Sequence, residues 1–172
     1  MKKIILISLL LLSTIVFSQE KKILSNTEIF SAKCGTLIEK QFIEIGECKS
    51  IKINVLKVKD LNDGTTFSAI RLEYESVDRY TKTSKISILD KDEIDGLIKS
   101  IKNLNSVFKT NRDTYTEITF KSRTGFECGA FYTKKWKTYV KLEKYDSDSM
   151  VFLSTDDILN FLSLIEQAKS KM

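Results

Sequence analysis

SILDKDEIDGLIKSI, from Ser87 to Ile101, and VFLSTDDILNFLSLI, from Val151 to Ile165, align without a gap at an offset of 64 residues. Each reads as a strand that runs into a helix. Asp90 and Ser154 fall where an N-cap oxygen accepts an orphan backbone N–H, and Glu93 and Asp157 follow three residues later, as in a capping box. Acids in these first turns suit the helix dipole. Beyond each cap the apolar residues recur at helical spacing: Ile94, Leu97, Ile98, Ile101 and Leu104, then Ile158, Phe161, Leu162, Ile165 and Ala168. Each helix therefore has one core face.

Upstream of each helix the period changes to that of strands bounded by turn residues. The first half predicts strands at about 36–45, 49–59, 65–75 and 83–89, with Asn62-Asp63-Gly64 as a turn. The second half predicts strands at about 114–122, 126–133, 136–144 and 149–153, with turns at Arg123-Thr124-Gly125 and Asp146-Ser147-Asp148. Residues 105–113 connect the halves, and a short helix starts near Asn26. Short turns make the sheets antiparallel. The expectation is an α+β fold of two tandem four-strand-plus-helix (ββββα) units, about 36–104 and 114–170, with a helix on one face of each sheet. This layout resembles that of the whirly-type and PUR-repeat nucleic-acid-binding folds; the resemblance is one of topology and carries over no functional residue.

Met1-Lys2-Lys3 and the apolar run Ile4–Phe17 have the form of a secretory signal, with Val16 and Ser18 small enough for a cleavage site after Ser18. Residues 1–18 are expected to be removed, leaving residues 19–172 as a single globular domain, exported to the periplasm or the exterior. The apolar run is too short to span a bilayer comfortably. No Cys lies near the cut, so lipid attachment is not expected.

The 172 residues include 28 Lys plus Arg, 23 Asp plus Glu and no His, for a net charge of +5. Without His, the Ser-His-Asp and Cys-His nucleophile pairs and His-ligated zinc are excluded. Cys34, Cys48 and Cys128 would meet an oxidising compartment, where the simplest arithmetic is one disulfide and one free thiol, with three pairings open. Cys128 is the best position for a catalytic thiol, but it would need a base or cation other than His. Asp90, Asp92, Glu93 and Asp95 have the composition of a metal cluster, yet helix capping accounts for the first three, and no metal is expected. Asp60-Leu61-Asn62-Asp63-Gly64 resembles the start of a calcium loop, but Gly64 and Arg71 stand where that loop needs oxygen ligands, so a hairpin turn is the better reading.

The candidate binding surface is Arg123 together with Lys134, Lys135, Trp136, Lys137 and Tyr139, where basic and aromatic residues interleave around the only Trp. Such a surface can stack a ring and hold an anionic group, although Trp136 and one face of these strands could equally fill the core. No cofactor motif is present. The expected function is that of an exported, non-enzymatic binding or interaction module for a protein or small ligand, acting through an exposed sheet face or groove. One alternative is a nucleic-acid or polyanion binder using the basic and aromatic strands; another is an enzyme using Cys128 or paired carboxylates.

Overall fold

The computed structural model describes residues 23–77 and 81–172. The leader assigned to residues 1–18 lies outside them. A short helix, α1 (Asn26–Ser31), precedes β1 (Ile38–Cys48), β2 (Ile51–Asp60), β3 (Thr66–Val77), β4 (Lys82–Asp90) and α2 (Lys91–Val107). Then come β5 (Thr116–Lys121), β6 (Glu127–Tyr132), β7 (Trp136–Lys141), a 3₁₀ turn at Ser147–Ser149, β8 (Met150–Leu153) and α3 (Thr155–Ser170). The strands form two four-stranded sheets in sequential order, and every neighbouring pair is antiparallel. This is the duplicated α+β fold that the sequence predicts. Among the described residues no helix is long and apolar enough to cross a membrane.

Both helix starts carry the predicted capping boxes, Asp90 with Glu93 and Ser154 with Asp157. The Glu93 carboxylate accepts the Asp90 N–H at 3.0 Å, and that of Asp157 accepts the Ser154 N–H at 2.9 Å. Boundaries differ from expectation at the end of β7, which stops at Lys141, and at the first hairpin. β1 continues to Cys48 and β2 begins only at Ile51, because Lys49 and Ser50 form a two-residue turn with φ of 49° and 64°. Left-handed backbone at both central positions gives a hairpin the twist of its strands, but it strains residues that carry a Cβ. Ser50→Gly is therefore expected to raise stability by about 0.5–1 kcal/mol, measured as a higher denaturation midpoint in urea with an unchanged slope.

The helices do not simply cover their own sheets. α2 packs on β3 and β4 of its own unit and on β5 and β6 of the other, while α3 packs on β8 and reaches across to β1, β2 and β3. A bulge between Glu44 and Gly46 makes the second of these contacts close, since a Cβ at Gly46 would lie 2.9 Å from Leu164 Cδ2. One hydrophobic cluster consequently draws on both units. It includes Ile53 and Leu72 from the first sheet, Cys128 and Val140 from the second, and Leu97, Phe161 and Ile165 from the helices between them. Ion pairs join the helix surfaces, Lys102 to Glu166 at 2.7 Å and Lys169 to Asp95.

The expected disulfide is absent: all three thiols are free, Cys34 exposed and Cys48 and Cys128 buried. Cys34 follows α1, Cys48 ends β1 with its thiol donating to the Asp157 carbonyl at 3.3 Å, and Cys128 faces the core from β6. Burial pushes the Cys128 thiol up to about 12, so it is protonated at neutral pH.

Several carboxylates are held below their usual range. Asp60 is lowered first by Lys33, whose ammonium lies 2.6 Å away, and then by Thr36, while Asp146 is lowered by Lys85 at 2.5 Å and Asp157 by Ser154. A depressed folded-state value supplies stability above the unfolded carboxylate pKa of about 4 and loses it as pH falls. Buried Cys48 and Cys128 have raised values, so the unfolded chain releases protons first above about pH 8.5 and stability falls there too. With no His to titrate between, thermal melts are expected to be flat from about pH 5 to 8 and to drop on both sides. A transition near pH 6.5 would contradict this account.

Candidate functional site

Pairing register sorts the basic and aromatic residues of the second sheet onto two faces. Trp136 lies opposite Tyr132 and Thr138 opposite Ala130, on the same side as core residues Cys128 and Val140. Lys137 lies opposite Phe131 and Tyr139 opposite Gly129, on the other side, away from the helices. Alternation along a strand makes this division unavoidable. What reunites the faces is the shortness of β8, which pairs with β7 only from Thr138 to Lys141. Among the described residues the start of β7 has no strand neighbour on that side, because the chain turns at Ser154 into α3.

A groove of about 690 Å³ opens around this bare stretch. Lys134, Lys135, Trp136, Lys137 and Thr138 line it from β7 and the turn before it, Tyr132 from β6, and Phe152 to Thr155 from the end of β8 and the start of α3. Phe108 and Asn111, just after α2, close the remaining side. Among the described residues three lysines contribute and no carboxylate does, which gives the lining a positive sign.

Trp136 is fixed rather than loose. Its indole Nε1–H donates to the Thr110 carbonyl at 2.7 Å, Tyr132 meets its ring edge-on at 5.3 Å between centroids, and the Arg112 guanidinium lies 5.8 Å from its centroid. A ring held on one edge and partly exposed is a stacking surface that costs little entropy to use. Lys137 extends over Phe131 with its ammonium 5.8 Å from the centroid. On the helix-free face, Phe131 in turn contacts Phe152 at 6.3 Å, Tyr139 at 6.2 Å and Tyr115 at 6.5 Å. These rings cover Tyr139, whose hydroxyl shares a hydrogen bond with Thr119 at 3.0 Å. Phe152 and Tyr115 remain 57% and 62% exposed, so an aromatic row runs out of the groove and across the sheet.

Arg123 stands apart from this group. It lies in the β5–β6 turn, at the opposite end of β6 from Lys134, a separation of roughly 20 Å for a six-residue strand. Its guanidinium is bound to Asp90 at 2.6 Å and Asp92 at 2.7 Å, and its backbone N–H donates to Glu93 at 2.6 Å. The three acids that could have formed a metal cluster thus close on an arginine. The Asp90 carboxylate, 3% exposed, also accepts the backbone N–H groups of Asn26 and Thr27 and the Thr27 hydroxyl, at 2.6, 3.1 and 2.8 Å. It therefore ties α1, α2 and the β5–β6 turn together. Lys49, in the first hairpin of the other unit, makes the matching contact at 3.5 Å to Asp157 at the start of α3. Arg123 and Lys49 are fasteners between units.

Of the six residues singled out in the sequence, Lys134, Lys135, Trp136 and Lys137 line the groove, Tyr139 underlies the adjoining aromatic row, and Arg123 belongs to the interface between units. Phe108, Asn111, Phe152, Leu153, Ser154 and Thr155 are lining residues that sequence reasoning missed. Phe152 had a legible signal, being an aromatic that alternation places on the face opposite Val151 and Leu153. Phe108 had none, since its position depends on where the chain leaves α2. No family model matches the chain, and no curated protein or solved structure is similar enough to match it.

Proposed function

We propose that this chain is an exported, non-enzymatic binding module whose working surface is the groove at the bare start of β7, and that its ligand is an anion carrying a flat ring. Export is supported by the secretory form of residues 1–18. The observation that carries the binding reading is the lining of the groove, with Lys134, Lys135 and Lys137 placed around the edge-anchored Trp136 and no carboxylate among them. Lysine ammonium groups supply charge without fixing geometry, while the indole supplies area and orientation. Because Trp136 is the only Trp, its fluorescence reports on the groove alone. Titration with a nucleoside monophosphate at low salt is expected to quench it saturably, and the parent nucleoside to do so far more weakly. An unchanged spectrum with the phosphate form would remove the reading.

The row from Phe152 through Phe131 to Tyr115 favours a second reading, in which the ligand is a chain such as a single-stranded nucleic acid that leaves the groove across the helix-free face. A short oligothymidylate would then bind much more tightly than its mononucleotide and with a steeper salt dependence. Equal affinities per phosphate group would restrict the site to the groove.

A further inference from the structure

We propose that the outer edge of β5 pairs antiparallel with β5 of a second copy of this chain, centred on Thr119, to make one continuous eight-stranded sheet. β5 is the terminal strand of its sheet, and among the described residues no strand pairs with its outer side. The Ser122 N–H bonds the Phe126 carbonyl at 2.9 Å on the β6 side. Backbone groups alternate in direction along a strand, so Glu117, Thr119 and Lys121 present their N–H and C=O groups to the free edge. In the register centred on Thr119, those three residues are the ones that pair. Thr119 meets its own copy, and each Glu117 meets Lys121 of the other chain, so the six-residue strand is complementary in charge to itself.

The helix side of the same edge is complementary too. Ile118 would face Phe120 of the second copy. Both are only half-buried at present, and with Leu104 and Val107 they border a crevice of about 120 Å³ between α2 and β5. Of the other edges, the longest, β1, is less suited to self-pairing, because the bulge between Glu44 and Gly46 interrupts its ladder. The groove around Trp136 lies toward the β8 edge, so pairing at β5 leaves both grooves open and brings the two aromatic rows toward each other. Such a dimer would be bivalent for a long ligand.

Sedimentation velocity on the purified protein tests this directly. The unmodified chain is expected to sediment as a dimer in the micromolar range. Lys121→Glu sets Glu117 against a second acid and is expected to give a folded monomer, and the charge-swapped double variant, Glu117→Lys with Lys121→Glu, is expected to restore the dimer. A monomeric unmodified chain, a Lys121→Glu variant that stays dimeric, or a double variant that stays monomeric while folded would each overturn the proposal. Should the variants fail to fold, amide exchange of Thr119 in the unmodified chain decides: protection that grows with concentration is expected, and its absence overturns the proposal.

Discussion

Asp90→Ala is expected to lower stability by about 3 kcal/mol, because it removes the buried partner of a charge network and leaves several donors without an acceptor. For a chain of this length that is a fall of roughly 6–12 °C in melting temperature. The donors are the Asn26 and Thr27 N–H groups, the Thr27 hydroxyl and the Arg123 guanidinium, and they belong to two different elements, α1 and the β5–β6 turn. Asp90→Asn keeps an acceptor but not the charge, so its loss should be smaller. Arg123→Ala should cost less again, since that side chain is 35% exposed and solvent screens its pairs. The ranking Ala, Asn, then Arg123→Ala is the specific result. A second readout separates a local from a global effect: Asp90→Ala should expose residues 23–33 to proteolysis well below the global melting temperature, because the carboxylate that caps α1 from outside is gone. If Arg123→Ala proved as damaging as Asp90→Ala, the network would be a set of surface pairs and not a junction.

The other large effect concerns binding. Simultaneous replacement of Lys134, Lys135 and Lys137 by Gln is expected to weaken an anionic ligand by about a hundredfold at low salt, taking roughly 1 kcal/mol for each solvated charge pair lost. Stability should barely move, since all three side chains are exposed and no carboxylate lines the groove beside them. With a single-stranded oligonucleotide, the slope of log affinity against log salt should fall by about 2. Trp136→Leu is the complementary variant. It should weaken all ring-bearing ligands by a similar factor while leaving the salt slope intact, because stacking is not screened. A triple variant that binds as well as the unmodified chain would place the ligand elsewhere. Arg123→Gln serves as the control, since the structure commits that residue to Asp90 and Asp92.

The fold was legible because its signals are local. Two helix starts with the same cap chemistry, Asp90 with Glu93 and Ser154 with Asp157, sit 64 residues apart, and strands bounded by turn residues precede each. The helix exchange was not legible. Whether Leu164 lands on β1 or on β8 depends on the close approach at Gly46, and an apolar residue on a helix face does not say which sheet it covers. The same distinction governs the site. Lys134 to Lys137 could be found as a run, because the residues are adjacent in the chain. Arg123 looked alike in type but was drawn to acids on α2, and a charge pattern alone cannot show which partner a cation has. The Cys arithmetic failed for a related reason: compartment and count describe opportunity, whereas Cys48 and Cys128 are packed as free thiols among core residues.

The groove is the centre of this account, and amide chemical shifts of the ¹⁵N-labelled protein during titration with a nucleoside monophosphate test it most directly. Saturable shifts are expected at the Trp136 indole N–H and at the backbone amides of residues 134–138 and 152–155, with Arg123 and α1 unmoved. Shifts centred on Arg123 and the start of α2, or none at any residue, would contradict it.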